Sequence, residues 1–337
     1  KKLGFDLWVQ LFHDKWDWRN TELPRLWPWV VSHPPPSRPS VFVRNPYYWK
    51  VDPEGNQLPY MDRMTFEIFD RETINLKAIN GEIGMQGRHL DFVNYPLFME
   101  NQKRGGYRVL HWIGGGASGV VLNLNHKDKV LRKIFENRIF RIALSHAINR
   151  DELIEMAGFG ICQKRQASPL PTSPFYSEAF EKAYLEYDPD LSNRMLDQMG
   201  LAERDNEGIR MRSDGKPLKI TIETNSIDDR VLALVASHWT AVGVKTEIKE
   251  EERQLLFQRT FALMHDVVGM GGDAQIPILN PRAFVPTSIH SRQAVDYARW
   301  YRSNGKQGEE PTGDLRRCME IFRQIEDTPD EAEQVRL

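Results

Sequence analysis

Cysteine is scarce: two residues in 337, Cys162 and Cys318, far apart in the chain. The expected state is a pair of unpaired thiols, since spacing alone cannot establish a disulfide. No apolar stretch approaches the ~20 residues that a membrane-spanning helix needs. Charge of one sign is not in excess either. The formal net charge is −2, with no basic run, so no strong attraction to nucleic acid or anionic lipid is implied. The chemistry-bearing motifs are missing too. There is no G-x-S-x-G, no H-E-x-x-H and no Cys/His pair with supporting context, so no catalytic set emerges. His111, His126, His146, His238, His265 and His290 are scattered rather than spaced as ligands, so no metal site is expected. The glycine run Gly114 to Gly119 is not a phosphate loop. No Gly-Lys-Ser/Thr follows, and the next residues alternate as a strand, so neither a nucleotide nor any other cofactor is expected.

What is present is an ordinary globular balance, 40% hydrophobic and 27% charged, with enough chain for two or three domains. The most informative stretch is NRIFRIALSHAINRDELIEMAG, from Asn137 to Gly158. Phe140, Ala143, Leu144, Ala147 and Ile148 mark one apolar helix face. Asn149 is placed to cap a second helix, with Glu152 three residues on as the partner of a capping box, and Gly158 to end it.

Other segments read as follows. Phe5 to Phe12 is a short mixed helix. Trp16, Trp18, Trp27 and Trp29 invite a sugar-stacking reading, but bulky anchors fixing an irregular segment onto a core are preferred. Ser40 to Arg44 is a strand, and Met64, Phe66 and Ile68 alternate as another. Arg71 to Asn80 is helical, as is Asp91 to Arg104, and Tyr107 to Ile113 is expected to be a strand. Asp188 or Asp190 caps a helix that Gly200 ends. A hairpin turns at Asp214-Gly215. Leu218 to Ile222, the helix bearing Val231 to Val242, and Val244 to Ile248 form a strand–helix–strand unit with a parallel preference. A helix from Arg253 to Leu263 leads to Asp266–Asp273, a buried strand running into a glycine-rich corner. Open α/β sheets place ligands beyond such strand ends. The last long helix carries Leu315, Met319, Phe322 and Ile325.

These segments, in this order, resemble family 5 of the solute-binding proteins of ABC importers. The helix pair is similar to that family's "vRqALsyAIdreelie" segment. Arg44 to Trp49 resembles its "RNPxYW" turn, and Tyr60 to Ile68 its "YlDrixfri" strand. AINGEIGMQ matches "gaingGeiD" except that Gly84 stands where Asp is usual. Tyr187 to Leu201 resembles "yDPekAnelLdemGl", and Asp266 to Asp273 resembles "ydmalxgwgaD".

The resemblance implies a type II periplasmic-binding-protein α/β fold, with two lobes around a cleft. It implies residues 1–112 as a partial lobe I, 113–119 as a glycine-rich hinge crossover, and 120–337 as the second α/β lobe. Both ends read as cut, so that lobe I is incomplete, the C-terminal return strand is missing, and weak or absent solute binding by this chain alone is expected. It implies capture of a solute, an oligosaccharide or an oligopeptide, and delivery to the transmembrane subunits of an ABC permease. The chain would be a monomer, periplasmic or otherwise extracytoplasmic, without nucleic-acid partners, and not an enzyme. Asp273 is the first candidate ligand anchor, the alternative being a turn cap. Gly115 and Ser118 would form the cleft wall. Trp112, Trp300 and Tyr301 are stacking candidates, the alternative being core packing. The runner-up function is a two-lobed, transferase-like α/β enzyme acting on a polar small molecule. A scaffold with an exposed apolar patch is a third.

Overall fold

The computed structural model describes residues 4–111, 118–225, 228–271 and 278–337. The chain divides into two compact units, Lys1–Leu110 and His111–Leu337.

The first unit is built on a three-stranded antiparallel sheet of β1 (Trp29–His33), β2 (Ser40–Arg44) and β3 (Arg63–Phe66), in that order. Helices α1 (Trp8–Trp16), α2 (Arg71–Ile79) and α3 (Tyr95–Gly105) accompany it. Asp70 caps α2 by accepting from the Thr73 N–H. The strand expected through Ile68 stops at Phe66, and Ile68 is exposed.

Two expectations fail here. Residues 107–111 form no strand. The Tyr107 and Val109 N–H groups donate to the carbonyl and the side-chain oxygen of Gln102, so the end of α3 satisfies this backbone in place of a ladder partner. Nor do the tryptophans anchor a core. Trp16, Trp18 and Trp27 are 66%, 43% and 57% exposed, and only Trp29 of the four, in β1, is half-buried. Phe12 stacks on Trp16 at 6.0 Å and Trp18 on Phe42 at 5.9 Å, so these rings pack on one another and on β2.

The second unit holds a four-stranded sheet, ordered β4 (Ser118–Leu122), β7 (Val267–Gly271), β5 (Lys219–Thr224), β6 (Lys245–Glu250). β5, β6 and β7 are parallel, and β4 runs antiparallel to β7. The helix α9 (Asp229–Ala241) joins β5 to β6, as the alternating and helical spacings require. Helix α10 (Arg253–Phe261) joins β6 to β7.

The helix pair read from sequence is α5 (Arg138–His146) and α6 (Arg150–Met156), preceded by α4 (Lys129–Glu136), which periodicity at Asn137 did not reveal. Asn149 accepts from the Glu152 N–H at 3.2 Å and so caps α6. Short α7 (Glu178–Glu181) follows, then α8 (Pro189–Leu196), capped by Asp188, then α11 (Val295–Arg302), α12 (Gly313–Asp327) and α13 (Glu331–Arg336).

The main core joins Ile220, Ile222 and Val267 of the sheet to Phe140 and Leu144 of α5 and Trp239 of α9. A second cluster packs Tyr297 and Tyr301 of α11 on Met319 and Phe322 of α12. Apolar area of this kind stabilises by roughly 25 cal/mol per Å². Cys162 and Cys318 are free and exposed.

Candidate functional site

Three parallel strands point their carboxyl ends the same way, at Thr224, Glu250 and Gly271. Because β4 is antiparallel to β7 and Ser118 pairs with Gly271, β4 begins at that same edge. Ser118 therefore opens its strand at the edge where an open α/β sheet offers a ligand site. Asp273 stands two positions after Gly271 in sequence. It lies outside the described residues, as do Trp112, Gly115 and most of the 113–119 crossover.

Trp300 and Tyr301 sit on α11, and both belong mainly to the second core cluster. Tyr301 is 9% exposed and donates its hydroxyl to Glu326 Oε2 at 2.6 Å. Burial, and then that carboxylate, raise its pKa above the ordinary tyrosine value. Its remaining edge meets a cleft of about 590 Å³, shared with Ile278, Leu279, Phe322 and Arg323. The Trp300 ring instead lies under the Arg316 guanidinium, 4.5 Å from its centroid.

The electrostatics of the sheet edge are organised around arginines. Buried Glu223 accepts from Arg259 Nε at 2.8 Å. The hydrogen bond to Glu223 raises the Arg259 pKa. Glu251 pairs with Lys249 at 2.5 Å and faces Arg259 at 3.6 Å. Arg292 is different. Its guanidinium lies 5.2 Å from the Phe257 centroid and donates to the Gly269 carbonyl at 3.4 Å. Burial, then Arg282 and Arg253, push its pKa down. Sequence reasoning missed this group, because Arg253, Phe257 and Arg292 share no spacing that periodicity could report.

At the opposite, amino-terminal edge of the sheet, Asp266 fixes the start of β7. Its Oδ1 meets His126 Nε2 at 2.9 Å, and its Oδ2 accepts from the Thr221 N–H at 2.9 Å. His126 Nδ1 accepts from the Asp128 N–H, so the neutral ring carries its proton on Nε2. His265 next door is 0% exposed and bonds the Arg292 carbonyl through Nε2 at 3.0 Å. Burial holds its pKa down at about 4.

An unfolded histidine titrates near 6.5. Between these values the unfolded chain binds a proton that the folded one refuses, so stability is complete above the unfolded value and falls on acidification. Urea unfolding should lose on the order of 2–3 kcal/mol from this group between about pH 7.5 and about pH 4.5. His265→Gln should flatten that part of the profile. An equally steep profile in the variant would contradict the assignment.

Among the described residues, no group of three or more His, Cys, Asp or Glu side chains could hold a metal ion. No helix among them is long and apolar enough to cross a membrane.

Comparison with known proteins places these features. The model of the bacterial extracellular solute-binding proteins, family 5 Middle, matches residues 9–294. The periplasmic alpha-galactoside-binding protein of Rhizobium meliloti (strain 1021) is 25% identical over 224 residues, which is 60% of this chain and 31% of that protein. A solved oligopeptide-binding protein OppA is 39% identical and superposes with a TM-score of 0.71, over 98% of this chain and 56% of that one. The binding protein MelB of Agrobacterium fabrum C58, solved with stachyose, shares the fold at 17% identity and a TM-score of 0.61, over 94% of this chain and 49% of that one. The chain thus spans about a third of the length of the curated relatives it matches, 31% and 36% of the first two. The fold is the periplasmic-binding-protein α/β type, and the chain belongs to family 5 of the bacterial extracellular solute-binding proteins.

Proposed function

We propose that this chain is part of an extracytoplasmic receptor that captures an oligosaccharide or an oligopeptide and hands it to the permease of an ABC importer. The observation that carries this reading is the family match across residues 9–294. It is supported by relatives named for an alpha-galactoside and for oligopeptides, and by a fold neighbour solved with stachyose. The receptor works as a monomer in the periplasm or its extracytoplasmic equivalent. Residues 1–112 form part of one lobe, 113–119 the hinge and 120–337 the other lobe. For the solute, Asp273 supplies the polar anchor, Ser118 and Gly115 the wall of the site, and Trp112, Trp300 and Tyr301 aromatic surface. The chemistry is binding alone, and ATP hydrolysis belongs to other subunits.

Calorimetric titration of the full-length receptor that carries this chain, with stachyose and with a tetrapeptide pool, tests this reading. Saturable binding of one of the two, with the ligand recovered chemically unchanged, is expected. Conversion of the ligand to product, or no saturable binding of either, would contradict it.

A further inference from the structure

Helix α10 opens directly after the carboxyl end of β6, so Arg253 stands three residues beyond Glu250 at the sheet's ligand edge. Its guanidinium lies 5.6 Å from the Phe257 ring centroid. Arg292 approaches the same ring at 5.2 Å from the loop before α11. Its Nη1 reaches the carbonyl of Gly269, two residues before the end of β7. Two cations from separate segments thus flank one aromatic ring. The His290 ring meets Phe257 edge-on at 5.8 Å and Phe261 at 5.4 Å, which fixes this platform.

Arg253 and Arg292 bring two like charges to one ring. Arg282 and Arg253 act on Arg292, and Arg282, Arg292 and Arg302 all depress the pKa of His290 after its own desolvation. The buried carboxylates of this part of the sheet, Glu223 and Glu251, are matched by Arg259 and Lys249. Among the described residues, no carboxylate pairs with Arg253 or Arg292, and Arg292 spends one of its five N–H donors on a long bond to a carbonyl. Gathering like charges around a half-buried guanidinium is unfavourable unless an anion joins them. A planar guanidinium is well suited to hold a carboxylate by two parallel hydrogen bonds.

We propose that Arg253 and Arg292, braced by the Phe257 ring, form a subsite for a carboxylate carried by the solute. This inference rests on the solute-binding reading above and narrows its ligand class to acidic members. The carboxylate has two sources, a uronic acid unit in an oligosaccharide or the free carboxylate of a peptide.

The experiment compares charged and neutral members of two ligand pairs on the full-length receptor that carries this chain, by calorimetry. The pairs are a galacturonate oligomer with its methyl ester, and tetra-alanine with its C-terminal amide. In one pair the charged member should bind roughly tenfold tighter or better than its neutral counterpart. That preference should collapse in Arg292→Gln and, independently, in Arg253→Gln, whose exposed side chain makes a folded variant straightforward to obtain. Arg292→Lys should keep part of it. Equal binding of charged and neutral members, or a preference that survives both glutamine variants, overturns the subsite. If neither pair binds while stachyose does, the subsite is overturned and the receptor reading stands. If nothing binds, both fall.

Discussion

Arg210→Ala should cost about 3–5 kcal/mol, because a fully buried side chain and several hydrogen bonds made by its charged group are lost together. Arg210 is 0% exposed, an unusual place for a guanidinium. It is tolerated because its donors are met. Nε donates to the Val242 carbonyl at 2.7 Å, Nη1 to Asp197 and to the Leu201 carbonyl, and Nη2 to Asn193 Oδ1 at 2.7 Å. The side chain therefore ties the loop after α9 to the end of α8. Gly243 completes the fit. It sits at φ +88°, and a Cβ there would stand 2.8 Å from Arg210 Cγ. Removing the guanidinium strands the buried Leu201 carbonyl and leaves the Val242 carbonyl and Asn193 Oδ1 with Arg204 Nη2 as their shared donor, at 3.4 and 2.7 Å; a stranded buried acceptor costs about 1–3 kcal/mol, and the volume of the buried side chain is lost with it. Arg210→Lys should recover little, because one ammonium cannot reproduce a fork. Urea unfolding measures it, and a loss under about 1 kcal/mol would contradict this account.

Trp239→Ala should cost a similar amount, about 3–5 kcal/mol, through the cavity left in the main core. The indole is 1% exposed and packs among the sheet and α5. It also donates to the Leu144 carbonyl at 3.0 Å, in the last turn of α5, where carbonyls lack helical partners. Trp239→Phe separates the two contributions. It keeps much of the volume and loses the donor, so about 1–3 kcal/mol is expected. Equal losses in the two variants would show that the hydrogen bond outweighs the packing.

Periodic burial made much of the second unit legible. The alternation at Leu218, Ile220 and Ile222, the helical spacing from Val231 to Val242, and the capping of α6 by Asn149 each follow from one local rule. α4 is hidden in the sequence because Asn137 carries the signal of a helix start, whereas in the fold it both ends α4 and caps α5. The expected strand from Tyr107 failed because α3 supplies a closer partner, Gln102, which no alternation pattern can weigh. The exposed tryptophans show that aromatic size alone does not decide burial. At the site, Ser118 was placed by sheet pairing. The cationic pair around Phe257 joins residues 39 positions apart, Arg253 and Arg292, whose meeting only the three-dimensional structure reveals.

Native mass spectrometry of the gently purified full-length receptor tests the central claim, reversible solute capture, most directly. The account predicts a non-covalent adduct that leaves under activation, either a ladder spaced by sugar units or a spread of peptide masses. The bare chain mass alone, unchanged after incubation with oligosaccharide and peptide pools, would contradict it.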